Sequence, residues 1–264
     1  MNTPNTESIN TNPFSRCFAG LDLLFKHNQT MAIVILIISL SYSVLQFVGN
    51  FLPSGRAPEN PAVIAAPEPV NIALLLGILI PVILVASVVA MVISTYYTGV
   101  INYVAWKTSR RETTTFSEAV REVSKRFWTI LAVQILVGLR VIGGYLLFIV
   151  PGIRASLRYQ MVFFPVFDEG LNARNAIKRM KRLAKNHLME VFGVMTVATI
   201  IPIVGTLLSV GGEAIFYPEL KRAIDDNIVY PKIHWLNYIG FILLAVILSL
   251  LILLVLGAFL LLAR

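Results

Sequence analysis

Long runs of apolar residues constrain this chain more than any other feature. A membrane-spanning helix needs about 20 mostly apolar residues in a row, whereas a surface helix of a soluble protein is apolar along only one stripe. Only 14% of the residues are charged, against about 25% in soluble domains. The sequence therefore predicts an all-α fold, that of a polytopic helical membrane protein.

The apolar segments predict seven crossings of the membrane. The predicted spans lie at about 31–48, 71–104, 128–150, 153–167, 188–201, 206–217 and 241–262. The predicted organisation is a disordered polar tail at 1–13, a six-span membrane domain at 14–226 that includes a proline-rich outer loop at 50–70, and a linker with the seventh span at 227–264. Tight turns inside two helical hairpins are predicted at Pro151, Gly152, Pro202 and Gly205.

The distribution of the positive charges predicts the orientation of the chain. There are 22 Lys and Arg against 14 Asp and Glu. In a soluble protein this excess of positive charge would suggest nucleic-acid binding. In a membrane protein, Lys and Arg concentrate in cytoplasmic loops. With the N-terminus inside, Arg56 and Arg264 are the only basic residues in outer segments. The chain is therefore expected in the cytoplasmic membrane, multi-pass, with its N-terminus in the cytoplasm, its C-terminus outside and no nucleic-acid partner.

Three inner segments share a pattern and suggest an internal repeat. Each begins with an alanine, has an apolar residue four positions later and precedes an apolar run: 19–26, 119–126 and 176–183. This pattern is typical of a cationic amphipathic helix at the membrane interface, although any basic segment before a span resembles it. Thr115 and Ser117 are candidate N-caps of the second copy. The predicted architecture is three repeats of an interfacial helix plus a hairpin, with one extra C-terminal span.

The basic helices are expected to contact anionic lipid headgroups at the inner face, since each Lys or Arg near such a surface contributes about 1 kcal/mol. The predicted lipid contacts are Arg121, Lys125, Arg126, Lys178, Arg179, Lys181, Arg182 and Lys185.

Parts of the chain resemble a known family of membrane domains. The resemblance rests on LFIVPGIRASLRYQMVFFPVF at 147–167, DEGLNARNAIK at 168–178 and FYPELKR at 216–222. These segments resemble the membrane domains of glycerophosphoryl diester phosphodiesterases and related bacterial and archaeal six-span proteins of unassigned function. The resemblance implies a six-span membrane domain, from which the seventh span departs. Some relatives carry a catalytic barrel that this chain lacks, so the diesterase activity is not implied.

Charged residues inside predicted spans are the candidate site, because a charge in the bilayer is costly unless it is paired or hydrated. Helix arithmetic predicts that Arg158 and Glu213 share a depth and form an ion pair, with Arg140 as the competing partner of the carboxylate. Arg154, one turn from Arg158, is expected to extend toward the outer surface. This network either locks the hairpins together or forms a polar cavity for an anion such as a lipid phosphate. Glycines at 138, 143, 144, 211 and 212 predict contact between spans three and six.

The sequence lacks motifs for known enzymatic chemistry. Neither a His-Glu-x-x-His zinc helix, a P-loop nor a nucleophile elbow is present, and we expect no metal, no cofactor and no catalytic residue. The leading interpretation is a non-enzymatic structural or lipid-interacting membrane protein. The alternative is a transporter or exporter of a small or amphipathic anion, and an enzyme acting on lipid phosphates ranks third. Assembly into a homo- or hetero-oligomer is compatible with each.

Overall fold

The computed structural model describes residues 9–51, 72–201, 204–226, 228 and 231–262, and this part of the chain is all-helical, without a strand. The predicted outer loop from residue 52 on, Pro202 and the first eight residues of the predicted tail lie outside the described residues. The helices are α1 Pro13–Phe51, α2 Ile72–Ser109, α3 Phe116–Lys125, α4 Phe127–Leu147, α5 Ile149–Tyr159, α6 Phe164–Asp168, α7 Ala173–Leu183, α8 Leu188–Ile200, α9 Gly205–Asp225 and, after a 3-10 turn at Trp235–Tyr238, α10 Ile239–Leu262.

Four helical segments in the described residues are long and apolar enough to cross a membrane. They lie at Pro13–Ser41, Leu79–Ser109, Phe127–Leu147 and Trp235–Leu254. They overlap the first, second, third and seventh predicted spans.

Of the other three predicted spans, 188–201 corresponds to α8, whereas 153–167 and 206–217 differ from the expectation. No continuous helix covers 153–167, because α5 ends at Tyr159 and α6 begins at Phe164. Pro165 lies at the N-terminus of α6, where its ring and missing N–H are tolerated, but it cannot extend α5 without breaking a hydrogen bond. α8 has 13 residues, about 20 Å of helix, and α9 is longer than predicted and ends in charged residues. The prediction of one helix over 153–167 is therefore wrong.

The first of the two predicted hairpin turns also shifts. The chain reverses at Phe148, which ends α4 and precedes α5, so Pro151 and Gly152 lie in the first turn of α5 and not in the turn itself. Proline is tolerated there because the first N–H groups of a helix have no intrahelical partner. Gly152 serves the close packing of the hairpin, since a Cβ on Gly144 would lie 2.9 Å from Gly152 Cα. Gly205 is the first residue of α9, and a Cβ on it would lie 2.2 Å from the carbonyl oxygen of Ala198.

Two of the three predicted surface helices form as separate elements. Thr115 is the N-cap of α3 as predicted and accepts a hydrogen bond from the Glu118 N–H at 3.3 Å, whereas Ser117 lies inside the helix. The segment 176–183 lies within α7. The segment 19–26 belongs to α1, which is interrupted only by non-helical backbone angles at Asn28.

Asn28 connects this interruption to the segment between α2 and α3. Its side-chain Nδ2 donates to Thr108 Oγ1 at 2.9 Å and to the Glu112 carbonyl at 3.0 Å, and its Oδ1 accepts from the Thr114 N–H at 2.7 Å. The buried amide thereby satisfies polar groups of two segments distant in sequence, which holds the bend of α1 against the end of α2.

The most extensive helix contact joins α1 to α9. At the crossing, a Cβ on Gly20 would lie 2.0 Å from the carbonyl oxygen of Gly211, and the added Cβ of Gly212 would lie 3.1 Å from Cys17 Sγ. The predicted contact of the α9 glycines with span three is thus wrong, because Gly211 faces the backbone of α1 and Gly212 faces Val194 of α8 and Cys17 of α1. Gly138 and Gly143 of α4 face open space.

Replacing Gly20 by alanine is expected to destabilise the protein by about 3 kcal/mol or more, because the methyl group would overlap backbone atoms that cannot move independently. Gly138→Ala is the matched control, since nothing lies within 4 Å of its added Cβ. Thermal unfolding of the two purified variants in detergent measures the difference. Equal melting temperatures for G20A and G138A would contradict the close crossing.

Candidate functional site

The four charged residues predicted inside spans do not form one network. Glu213 accepts hydrogen bonds from Gln160 Nε2 at 3.0 Å and from Ser209 Oγ at 2.8 Å, and it joins no ion pair in the described part of the chain. Arg140 is exposed and donates to the carbonyl oxygen of Leu136 in its own helix at 2.8 Å. The predicted Arg158–Glu213 pair and its Arg140 alternative are therefore both wrong.

The helical period of α5 explains why the predicted pair does not form. Successive residues are rotated by about 100°, so Arg154 and Arg158, four apart, share a face, whereas Gln160 follows Arg158 by about 200°. It is Gln160 that contacts the Glu213 carboxylate on α9. Arg154 and Arg158 project toward α7.

These two arginines and the basic residues of α7 surround a cavity of about 750 Å³, which we call the basic pocket. Its charged lining consists of Arg154, Arg158, Lys178, Arg179, Lys181, Arg182, Lys185 and the carboxylate of Glu169. Arg154 thus lies beside the α7 residues that were predicted to be at the inner surface. It was expected to extend the other way, toward the outer surface.

The sequence of α7 explains how so many cations reach one cavity. Asn172 caps the helix by accepting from the Asn175 N–H at 3.1 Å. The apolar side of α7 is buried by residues spaced one helical turn apart, Ala176, Ile177, Met180 and Leu183. The lysines and arginines between them are consequently left on the open side.

Arg179 differs from the other basic residues of α7 because carboxylates already hold it. Its Nε donates to Glu169 at 2.9 Å and its second guanidinium nitrogen to Asp225 at 2.5 Å. The hydrogen bonds to Asp225 and Glu169 raise the pKa of Arg179. The hydrogen bond from Arg179 in turn lowers the pKa of Asp225. Arg179 was predicted to contact lipid, but it connects α7 to the end of α9.

The other six basic residues of the pocket take part in no ion pair among the described residues. Nε of Arg158 is also buried and has no hydrogen-bond partner in that part of the chain. A buried donor without a partner costs about 1–3 kcal/mol. A phosphate or carboxylate in the pocket would offset part of the surrounding positive charge.

The remaining predicted lipid contacts lie on or next to α3. Arg121 and Lys125 are exposed, and Lys125 pairs with Glu122 at 2.5 Å. Arg126 donates to the Val166 carbonyl and lies over the ring of Phe167 at 5.9 Å from its centroid. Arg126 thus attaches the start of α4 to α6, a structural role that the charge pattern did not reveal.

A second large cavity, of about 770 Å³, lies beside Asp168 but contains both signs of charge. Asp168 accepts from Lys221, from Trp106 Nε1 at 3.3 Å and from Tyr217 Oη at 3.3 Å. Burial alone would raise the pKa of Asp168, but these hydrogen bonds, above all that of Lys221, hold it below its usual range. Arg110 and Lys221 of this cavity pair with carboxylates. Only its other two basic residues, Arg111 and Arg222, form no ion pair among the described residues, against six in the basic pocket, so this cavity is a weaker candidate for an anion site.

Sequence reasoning missed a buried ion cluster at the start of α1. Arg16 is 1% exposed and forms ion pairs with Glu190 at 3.3 Å and Glu219 at 2.9 Å, with the Phe216 ring 4.4 Å from its guanidinium carbon. His187 Nδ1 lies 2.8 Å from the second oxygen of Glu190. Glu190 in the first turn of an apolar segment was the available signal, because an acid there needs a partner.

No family model, curated protein or solved structure matches the chain.

Replacing Asp168 by asparagine is expected to destabilise the protein at neutral pH by about 2 kcal/mol, since hydrogen bonds to a charged group are lost. A carboxyl whose folded pKa is lowered contributes stability above its unfolded pKa, near 3.9, and loses it as the pH falls through the folded pKa. The gap in melting temperature between wild type and D168N should therefore narrow below about pH 4.

Asp226→Asn is the matched control for this series, because Asp226 is exposed and belongs to no ion pair of the described residues. Melting temperatures recorded from pH 7 to pH 3 would reveal the effect. A D168N gap that stays constant over this range would contradict the charge-dependent role of Asp168.

Proposed function

We propose that this protein is a non-enzymatic, multi-pass protein of the cytoplasmic membrane that binds anionic lipid headgroups in the basic pocket at the inner face. The observation that carries the proposal is a set of six basic side chains around one cavity, from α5, α7 and Lys185 just after α7, that form no ion pair within the described part of the chain. The N-terminus would lie in the cytoplasm and the C-terminus outside, as the distribution of Lys and Arg favours.

The exposed surface of α2 supports a membrane location. Four consecutive apolar residues, Val82 to Val85, are each more than half exposed. Consecutive residues point in all directions around a helix, so this segment is apolar all round and has no polar face for water. Such a helix is stable when lipid chains surround it, and α10 has the same character.

The surroundings of the basic pocket favour a lipid over a free anion. Phe148, Ile149 and Val150, at the start of α5, are each at least 70% exposed. Arg154 follows this apolar turn on the same helix and lines the pocket. A lipid could therefore place its phosphate among the basic residues while its acyl chains lie along exposed apolar side chains, whereas a free phosphate would gain only the first contact.

The arrangement of the individual helices in the membrane is part of the same proposal. We propose that α3 and α7 lie at the inner interface and that the segment before Asn28 is a third such unit, joined directly to its span. α5, α6, α8 and α9 would complete the crossings that the positive charges require, together with α10 as the seventh. The resemblance to the membrane domains of glycerophosphoryl diester phosphodiesterases is consistent with this arrangement.

The double variant Arg158→Gln with Arg182→Gln is expected to weaken binding of an anionic lipid by about 20-fold or more. Each removed charge contributes about 1 kcal/mol, and 1.4 kcal/mol corresponds to a tenfold change in affinity. The measurement is a titration of the purified protein in detergent with dihexanoyl phosphatidylglycerol, with dihexanoyl phosphatidylcholine as the zwitterionic comparison.

The double variant Arg121→Gln with Arg174→Gln removes the same charge from exposed positions outside the pocket and serves as the control. It should lose much less affinity, and both doubles should melt near the wild-type temperature. Equal losses in the two doubles would mean that diffuse surface charge binds the lipid. Tighter binding of inorganic phosphate than of phosphatidylglycerol would point to a soluble ligand.

Transport of an anion is the second candidate, favoured by the finding that Arg154 and Arg158 form no ion pair with any described residue. A carrier should move the anion across a membrane, whereas a lipid-binding protein should only retain it. Efflux of dihexanoyl phosphatidylglycerol from proteoliposomes that is faster with wild type than with R158Q/R182Q would support transport. Equal efflux from protein-free vesicles would exclude it for this lipid.

A further inference from the structure

A third cavity, of about 450 Å³, lies against a different face of α5 from the basic pocket. Residues of α2, α4, α5 and α9 surround it. Among the described residues that line this cavity, Glu213 is the only one with an ionisable acidic or basic side chain of the Asp, Glu, Lys, Arg or His type. We therefore call the cavity the Glu213 cavity. The polar part of its wall is formed by neutral side chains, including Asn102, Gln134, Gln160 and Ser209.

Glu213 is buried, at 8% exposure. Only one of its two carboxylate oxygens accepts a hydrogen bond from the described residues. Gln160 Nε2 and Ser209 Oγ both donate to the same oxygen, Oε1. Oε2 receives no hydrogen bond from the described residues, and no cationic side chain of that part of the chain pairs with the carboxylate. Two neutral donors do not balance a negative charge in an apolar region, so a carboxylate there requires a cation or a proton.

The α2 and α4 side of the cavity is held in a defined hydrogen-bond arrangement. Thr95 Oγ1 donates to Gln134 Oε1 at 2.7 Å, and Gln134 Nε2 donates to Thr98 Oγ1 at 3.1 Å, which connects α2 to α4. Asn102 Nδ2 donates to the Thr98 carbonyl at 2.9 Å. Asn102 Oδ1 is thereby left as an acceptor without a donor among the described residues, a second oxygen in addition to Glu213 Oε2.

The size and charge of the Glu213 cavity limit what it can hold. A single carboxylate matches one positive charge, and the described residues contain no group of three or more His, Cys, Asp or Glu for a metal ion. The volume is far larger than a bare ion needs and lies within the range of small-molecule pockets, about 300–1,000 Å³. The rings of Tyr159 and Phe163, with Val137, supply apolar and aromatic walls.

We propose that the Glu213 cavity binds a small organic monocation, a protonated amine that carries an apolar group. The ammonium donates to Glu213 Oε2 and to Asn102 Oδ1, and the apolar group packs on the aromatic and aliphatic wall. This site is separate from the basic pocket in position, in charge and in the ligand that it selects.

Calorimetric titration of the full chain in phosphatidylcholine nanodiscs with butylammonium chloride tests the proposal. Saturable binding is expected for wild type, and Glu213→Gln should weaken it at least tenfold. Glutamine keeps the size of the side chain and its acceptor for Gln160 and Ser209 but removes the charge. Butanol and sodium chloride at the same concentrations should give no saturable binding, since each lacks one of the two features of the ligand.

Glu122→Gln is the control, because it makes the same chemical change on α3, outside the cavity, and should bind butylammonium as wild type does. Val137→Phe fills the cavity without changing its charge and should also weaken binding, which gives a second test if E213Q does not fold. Unchanged affinity in E213Q or V137F would overturn the proposal. Equal binding of sodium chloride would replace it with an inorganic cation site, and equal binding of butanol with an apolar cavity.

Discussion

The close approach of α1 and α9 at Gly20 and Gly211 is the contact on which the rest of the structure depends. Two helices can meet at backbone distance only where side chains are absent, and here the approach leaves no room for a methyl group on Gly20. Arg16, one turn before this crossing, reaches Glu190 on α8 and Glu219 on α9. A buried arginine with two carboxylates is stable only if all three groups keep their positions, so the ion cluster and the glycine contact specify the same docking of α1.

α5 separates two sites of opposite character in the middle of the chain. Arg154 and Arg158 share one helical face and line the basic pocket, whereas Gln160 on another face donates to Glu213. Because the helix stands between them, the arginines do not neutralise the carboxylate. The basic pocket therefore keeps its excess of positive charge, and the Glu213 carboxyl group has no ion pair among the described residues. Had the predicted Arg158–Glu213 pair formed, each cavity would have lost one of these charged groups to the other.

What could be predicted from sequence was local. The hydroxyl of Thr115 at the start of an amphipathic segment predicted its N-cap role, and the spacing of Ala176 and Met180 predicted which face of α7 is apolar. Whether Arg158 and Glu213 pair could not be predicted reliably. Counting residues along two helices gives the depth of each side chain but not the direction in which it points around its helix. Pro165 itself signalled the helix break that precedes it. The break was overlooked because the surrounding residues form one long apolar run. Glu190 carried a signal that was overlooked, while its partner Arg16 lies 174 residues earlier in the chain.

The sequence by itself determined that the chain is helical, that long helices are apolar enough to span a membrane and that basic residues collect on amphipathic segments. These properties depend on side-chain chemistry repeated at the period of a helix, which neighbouring residues set. Only the tertiary structure decided which charges meet, which remain unpaired and which glycines allow close contact. Those outcomes depend on the rotation and crossing of helices far apart in the chain, and these are determined by where each helix ends and by which small residues let two backbones touch.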